Sequence, residues 1–318
     1  MNSDETQDAV VACSVNPSHN VIRYGKSPRG EQFFFCKDCG KRLADADPTH
    51  RMWYDFERVI EALTFYYNGQ SFGNIMQTFD DLHRETGRRI TKPTIWRWVL
   101  QYSPFGNAYA RTLRPQLGDT WLADETAFFI FKEQWWFWDL IDIDTRFLIA
   151  THLSRTRGVD KATKLFKLAK ARTGMKPKTI RTDKLVEYIP AIWNAFGIVR
   201  HLRSHGFDSD ENINLLERFH GTVKQRTKVM RHFKVPWCAE TIMEGFITHY
   251  NFLHEHESLG GITPATAAGI GGEVESWADL IRLGQGLPIP HLSITMQNPP
   301  RTLDAHGQLF LDFEDWMR

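Results

Sequence analysis

The chain has 318 residues, of which 42% are hydrophobic and 24% are charged, enough for one large core or two to three smaller ones. This balance excludes a disordered chain, a collagen and a coiled coil. No stretch offers the roughly 18 to 20 uncharged apolar residues that a membrane span needs, and the acidic N-terminus does not resemble a signal peptide. We therefore expect a globular protein of the cytoplasm.

The formal net charge of +1 hides two basic segments. Residues 155–181 hold 10 basic and 1 acidic side chain, and residues 218–234 hold 6 basic and no acidic ones. Residues 237–318 carry 11 acidic against 3 basic side chains. Clustered positive charge suits a polyanion such as DNA or RNA, because binding releases condensed counterions. For either basic segment taken alone, a solvated face is the alternative.

Changes in residue pattern predict four segments along the chain. The first is short of helical periodicity, the second is helical, the third alternates strands and helices, and the fourth is acidic and helical. Their bounds are residues 1–47, 50–104, 118–235 and 236–318.

The first segment predicts a zinc-ribbon-like module. Cys36 and Cys39 form a Cys-x-x-Cys pair, while Cys13 and His19 offer two more soft or borderline ligands, a set that suits a tetrahedral structural Zn²⁺. His50 is the rival of His19 as the fourth ligand. Idle thiols are the alternative to zinc, and four cysteines are too few for a disulfide framework.

The second segment predicts three helices. The first covers about Asp55 to Tyr67, the second starts at the N-cap Ser71 and reaches about Glu85, and the third follows Thr91 and ends near residue 102. We interpret them as a helix-turn-helix domain with the third helix as the recognition helix. The alternative is an all-helical connector in which the tryptophans simply pack. Side chains placed to meet phosphates and base edges are Arg88, Arg89, Lys92, Thr94 and Arg97.

The third segment predicts an α/β fold. Three antiparallel strands are followed by strands that alternate with helices, which is the order of a ribonuclease-H-like mixed sheet with helices packed on it. The predicted strands cover residues 120–131, 135–143, 147–153, 178–183 and 199–202, and the predicted helices cover residues 158–173, 185–196 and 212–230. A further helix is expected at about 239–254 in the acidic segment.

Three carboxylates stand out in this pattern. Asp124 interrupts a buried strand, Asp183 ends the fourth strand, and Glu217 lies on the polar stripe of the long helix. Oxygen ligands of this kind suit Mg²⁺ or Mn²⁺, and two such ions could activate a nucleophile and stabilise a leaving 3′ oxygen. Glu125 points to the opposite face of the strand from Asp124, so it is left out of the predicted site.

These residues resemble the catalytic core of prokaryotic insertion-sequence DDE transposases, the compact, cointegrate-forming group. The resemblance covers residues 50–270. Lys184 departs from it, since the family usually has Gly after the second Asp. The phrases that carry it are Trp121-Leu-Ala-Asp124-Glu-Thr, Arg181-Thr-Asp183, Asn214-x-x-Glu217-Arg-Phe-His220-x-x-x-Lys224-x-Arg226, and Tyr250-Asn-Phe-Leu-His254 running on to Thr263-Pro-Ala265.

The resemblance implies that Asp124, Asp183 and Glu217 form the catalytic, metal-binding triad with two Mg²⁺ or Mn²⁺ ions. Lys224 and Arg226 would hold the DNA backbone. His220 would position Glu217 or contact DNA, and the alternative is that it serves only as a structural cap. Lys228 lies on the same stripe, and Lys164 and Lys167 on the lysine-rich helix would form a DNA track.

The function implied is a nucleoid-associated DNA transposase that binds the terminal inverted repeats of its element, then cleaves and joins strands. Pairing two DNA ends requires a homodimer or a larger assembly. Two other classes compete with this interpretation. One is a domesticated DNA-binding regulator without catalysis, which Lys184 favours, and the other is a cellular ribonuclease-H-fold nuclease.

Overall fold

The structure is a computed structural model that describes residues 19–26, 32–38, 42–44, 55–82, 89–130, 133–203, 219–221, 223–224 and 236–287. The chain divides into two units, residues 1–56 and 57–318. Among the described helices, none combines the length and apolar character that crossing a bilayer requires. The four-segment division made from the sequence stays a prediction.

The first unit contains a three-stranded antiparallel sheet. Its strands are β1 (Val21–Lys26), β2 (Gln32–Cys36) and β3 (Arg42–Ala44), in the order β1-β2-β3. Val21 lies opposite Cys36, so the end of β2 is adjacent to the start of β1. This arrangement brings the residues that precede β1 close to Cys36.

The second unit is built on a five-stranded mixed sheet with the order β6-β5-β4-β7-β8. Strands β4, β5 and β6 form an antiparallel meander, whereas β7 runs parallel to β4 and β8 runs parallel to β7. The predicted mixed sheet, in which three antiparallel strands are followed by two strands parallel to β4, is confirmed. The strands are β4 (Thr120–Ile130), β5 (Glu133–Asp142), β6 (Leu148–Ser154), β7 (Thr179–Thr182) and β8 (Arg200–Arg203).

Two helices cover the sheet: α4 (Val159–Thr173) and α5 (Tyr188–Phe196). The sequence predicted the buried face of α4 correctly, because apolar residues spaced three and four apart lie on one side of a helix. Helix α4 ends at Gly174, whose φ of 68° is left-handed and whose N–H bonds the carbonyl of Lys170. The buried residues of that face are Ala162, Leu165, Phe166 and Ala169.

Three helices precede the sheet: α1 (Phe56–Tyr67), α2 (Phe72–Leu82) and α3 (Lys92–Thr112). The predicted caps are present, since Ser71 Oγ accepts from the N–H of Asn74 at 3.1 Å and Thr91 Oγ1 accepts from the N–H of Thr94 at 3.4 Å.

Helix α3 runs ten residues beyond its predicted end and contains Pro104. A proline inside a helix removes one backbone hydrogen bond. In the structure the segment around Pro104 is buried, and the packing of this face compensates for the lost bond.

Helix α3 packs against two helices that follow the sheet, α6 (Pro236–Phe252) and α8 (Trp277–Gly284), while the short α7 (Pro264–Ala267) also packs on α6. The α3–α8 contact is close. A Cβ at Gly284 would lie 2.0 Å from the carbonyl oxygen of Phe105, and one at Gly106 would lie 3.0 Å from the Trp277 ring. At position 284 only glycine allows the two backbones to approach so closely.

Candidate active site

Two neighbouring parallel strands, β4 and β7, bring carboxylates together. Strand β4 pairs with β7 over Thr120–Leu122, so Asp124 lies two residues beyond the last paired position, and Asp183 directly follows β7. In mixed sheets such carboxyl ends of parallel strands are where ligands collect. Ligand oxygens of Asp124, Glu125 and Asp183 all lie within 4.8 Å of one another. Two predicted acids are therefore adjacent, while Glu217 lies outside the described residues.

Glu125 lies in this cluster, although the sequence argument left it out. The two neighbours on β4 do face opposite sides of the sheet: Asp124 lies near His220, and Glu125 accepts a hydrogen bond from the Tyr188 hydroxyl at 2.5 Å. Because Asp183 lies past the end of β7, side chains from both faces of β4 can reach it. No periodicity in the sequence indicates this.

The side chain of Arg157 partly neutralises the cluster. Its guanidinium donates to the buried carboxylate of Glu125, lies 3.8 Å from Asp183 Oδ2 and stacks 4.8 Å from the centre of the Trp136 ring. Burial raises the pKa of Glu125, while the Tyr188 hydrogen bond and the charge of Arg157 act in the opposite direction. Arg157 was counted only as one of many basic residues in the sequence.

Burial raises the pKa of Asp124 to about 7; the charges of Asp139 and Glu125 add to the rise, and His220 opposes it. Such a carboxylate is hard to ionise without a nearby cation. A divalent ion bound by oxygen ligands would supply that cation, and Mg²⁺ prefers carboxylates of this kind. The residues present therefore fit a divalent metal.

A buried pair lies behind Asp124. His220 Nε2 is 2.6 Å from Asp139 Oδ2, and His220 Nδ1 is 3.5 Å from Asp124 Oδ2. Burial alone would lower the pKa of His220, but the charge and hydrogen bond of Asp139 and the charge of Asp124 outweigh it, so the pKa is raised. Burial raises the pKa of Asp139, and His220 opposes that rise.

Sequence reasoning missed Asp139. It lies directly opposite Asp124 in the β4–β5 register and interrupts the apolar part of β5. An acid within a buried strand was the signal that singled out Asp124, and it applies equally to Asp139. Asp142 lies at the end of the same strand, where its carboxylate accepts from the N–H and hydroxyl of Thr145.

The residues predicted to contact DNA lie in several places. Lys92 and Arg97 are exposed on α3, Thr94 is half-buried, and Arg89 is exposed and pairs with Asp80 at 3.1 Å. The opposite side of α3 is buried. Lys164 and Lys167 are exposed on α4, and Lys224 is exposed one turn after His220. Arg88, Arg226 and Lys228 lie outside the described residues.

The predicted zinc ligands are described in part. His19 Nδ1 lies 3.6 Å from Cys36 Sγ, and ligand atoms of His19, Cys36 and Asp38 lie within 4.8 Å of one another. A thiolate and an imidazole at this spacing suit zinc. Cys13 and Cys39 lie outside the described residues. Asp38 was not foreseen, and its carboxylate also accepts from the N–H of Asn20 at 2.6 Å.

Comparisons with known proteins gave similar solved structures and one family model. Among proteins of curated function, none matches the chain. The chain is similar to the catalytic core domain of HTLV-2 integrase in complex with magnesium, with 17% identity, 49% of this chain and 99% of that chain covered, and a TM-score of 0.37. It is also similar to the catalytic core domain of BIV integrase, with 12% identity, 48% of this chain and 93% of that chain covered, and a TM-score of 0.37.

A family model described as a DDE domain matches residues 118–256, a range that contains Asp124, Asp183 and Glu217. It runs from just before β4 into the segment after α6. The match covers 139 of the 318 residues, so this part of the chain is similar to a DDE domain.

Proposed function

We propose that the chain is a DNA transposase that binds the terminal inverted repeats of an insertion sequence and catalyses metal-dependent strand cleavage and strand transfer. The observation that carries the proposal is the convergence of Asp124 and Asp183. They are 59 positions apart in the sequence, yet their carboxylate oxygens lie within 4.8 Å of each other.

Asp124, Asp183 and Glu217 would hold two Mg²⁺ or Mn²⁺ ions. Bound divalent ions supply Lewis acidity for hydrolysis of a phosphodiester and for its transesterification by a 3′ hydroxyl. The chain's own residues fix where this happens. Asp183 is partly exposed and so can be reached by DNA, whereas Asp124 is held from behind by His220.

The basic residues around the site would hold DNA. Lys224, exposed one turn beyond His220, and Arg226 would bind the backbone beside the scissile phosphate, with Lys228 further along the same stripe. Lys164 and Lys167 on α4 would follow the target or donor backbone. The N-terminal helices and a zinc ribbon formed by Cys13, His19, Cys36 and Cys39 would recognise the element ends.

A homodimer or larger assembly would be needed, because two element ends must be brought together. The protein would act on the DNA of the nucleoid. Short inverted repeats are expected on either side of the gene, and they provide the test substrate.

The proposal is tested by incubating the protein with a labelled duplex of the element end, a target plasmid and Mg²⁺ or Mn²⁺. A transposase nicks at the element end and joins it to the target. Cleavage at arbitrary positions would indicate a general nuclease instead. Chelation of divalent ions should stop both steps, and a shuffled end sequence is the matched control.

A second candidate is a DNA-binding regulator derived from a transposase. Lys184 favours it, since this exposed cation follows Asp183, where it would compete with metal binding. The Arg203 side chain donates to the backbone carbonyl of Lys184, which anchors the segment. A regulator would bind the element end in the same assay and leave it uncut. Lys184→Gly would then restore cutting if this side chain alone blocks it.

A further inference from the structure

Asp139 is a buried acid that the proposed chemistry does not use. It lies in the middle of β5, directly opposite Asp124 of β4, and its side chain is 0% exposed. A buried carboxylate is costly unless a partner compensates it. Among the residues that the structure describes, His220 is that partner, at 2.6 Å from Nε2 to Asp139 Oδ2.

His220 links this acid to the proposed metal site. Its second ring nitrogen, Nδ1, lies 3.5 Å from Asp124 Oδ2, so the imidazole spans two carboxylates of adjacent strands. His220 is helical, and its ring lies between β4 and β5. With Nε2 engaged by Asp139, the ring presents Nδ1 to Asp124.

We propose that Asp139 is a positioning residue of the DDE site: by binding His220 Nε2 it fixes the imidazole ring, and through it the Asp124 carboxylate. This inference rests on the proposed function, since it assumes that Asp124 binds metal. Asp139 acts only through His220. Partners that orient a metal ligand from behind typically change metal affinity by about 10- to 100-fold when they are removed.

The test is Mn²⁺ binding to the full-length protein, measured by electron paramagnetic resonance, alongside strand joining in Mg²⁺. Asp139→Asn keeps the shape of the side chain but weakens its hold on His220. We expect the Mn²⁺ dissociation constant to rise about 10- to 100-fold. Asp142→Asn is the matched control, because Asp142 is equally buried on the same strand but bonds Thr145. Its Mn²⁺ affinity should equal that of the wild type.

A second comparison separates positioning from folding. If Asp139 acts through His220, adding Asp139→Asn to His220→Gln should change the Mn²⁺ dissociation constant by no more than about twofold. Melting temperatures of Asp139→Asn and Asp142→Asn are expected to fall together, while only the former loses metal affinity. Where Asp139→Asn is unfolded at the assay temperature, the measurement is made below its melting temperature.

Unchanged Mn²⁺ affinity in Asp139→Asn, equal losses in both Asn variants, or fully multiplicative effects with His220→Gln would each overturn the inference. Failure of the proposed function has a different signature. In that case the wild type binds no Mn²⁺, or Asp124→Asn binds it as well as the wild type does.

Discussion

Asp124 and Asp183 differ in environment, and the difference matters for chemistry. The Asp124 side chain is 29% exposed, and burial raises its pKa to about 7, whereas the Asp183 side chain is 44% exposed. A metal ion bound by both would therefore contact the less exposed Asp124 on one side and remain accessible to DNA beside Asp183. Both carboxylates are needed for such an arrangement.

We predict that Asp183→Asn lowers strand joining by more than about 100-fold, because an amide is a much weaker ligand for Mg²⁺ than a carboxylate. Binding of the element end, measured by gel shift, should be retained. Asp119→Asn is the control. Asp119 precedes β4 and so lies at the opposite end of the β4–β7 pair from Asp183. It pairs with Lys178 at 2.6 Å, so joining should stay near the wild-type level.

Comparing Glu217→Gln with Glu125→Gln shows which glutamate is the third metal ligand beside Asp124 and Asp183. We expect Glu217→Gln to reduce joining by more than about 100-fold without loss of stability. Glu125→Gln removes the charged partner of Arg157 and should cost about 1–3 kcal/mol of unfolding free energy, measured in urea. Joining by Glu125→Gln at a temperature where it is folded should persist. Equal loss of joining in both variants would instead make Glu125 a metal ligand.

At the scale of single elements, helix α4 separates its functions by face. Its apolar side packs on the sheet, and Lys164 and Lys167, three positions apart, are exposed on the other side. Neither lysine makes an ion pair with any residue that the structure describes. This face is available to a polyanion.

We predict that Lys164→Glu combined with Lys167→Glu weakens DNA binding and flattens its dependence on salt. Each lost phosphate contact should lower the slope of log K against log salt by about 0.9. The measurement is fluorescence anisotropy from low to physiological salt. Lys178→Glu is the control, since Lys178 immediately precedes β7, at the opposite end of that strand from Asp183. An unchanged slope in the double variant would favour a solvated face.

Sequence patterns were sufficient for most elements and for part of the site. Alternation and turn residues predicted the meander β4–β6, and helical spacing predicted the buried face of α4. The register of β4 against β5 was not predictable from either pattern, so the proximity of Asp139 to Asp124 was missed. The full length of α3 was missed because burial against helices distant in sequence outweighs the cost of Pro104.

At the scale of the molecule, helices that precede the sheet in sequence pack against helices that follow it. Trp277 on α8 is 0% exposed; its ring lies 5.0 Å from the ring of Tyr67 on α1 and 6.3 Å from that of His249 on α6. Tyr109 on α3 also donates to Glu273 at 2.6 Å. These helices and the sheet belong to one unit, residues 57–318.

We therefore predict that Trp277→Ala lowers the free energy of unfolding by about 3–5 kcal/mol, the usual cost of removing a fully buried tryptophan. Helical circular dichroism and tryptophan fluorescence should report the same, earlier urea transition. Trp193→Ala is the control, because Trp193 is 63% exposed on α5, and its effect should stay within about 0.5 kcal/mol. Separate transitions for helices and sheet would contradict a shared core.

The close contact of Gly284 with the backbone of Phe105 has a consequence for protein engineering. Helix α3, which is predicted to recognise DNA, packs closely against α8, a helix that begins more than 160 residues later in the chain. In a hybrid that takes residues 50–112 from a related protein, the new α3 would not fit the surface of α8. Exchanging DNA specificity between such proteins therefore calls for transplanting residues 272–287 in the same step.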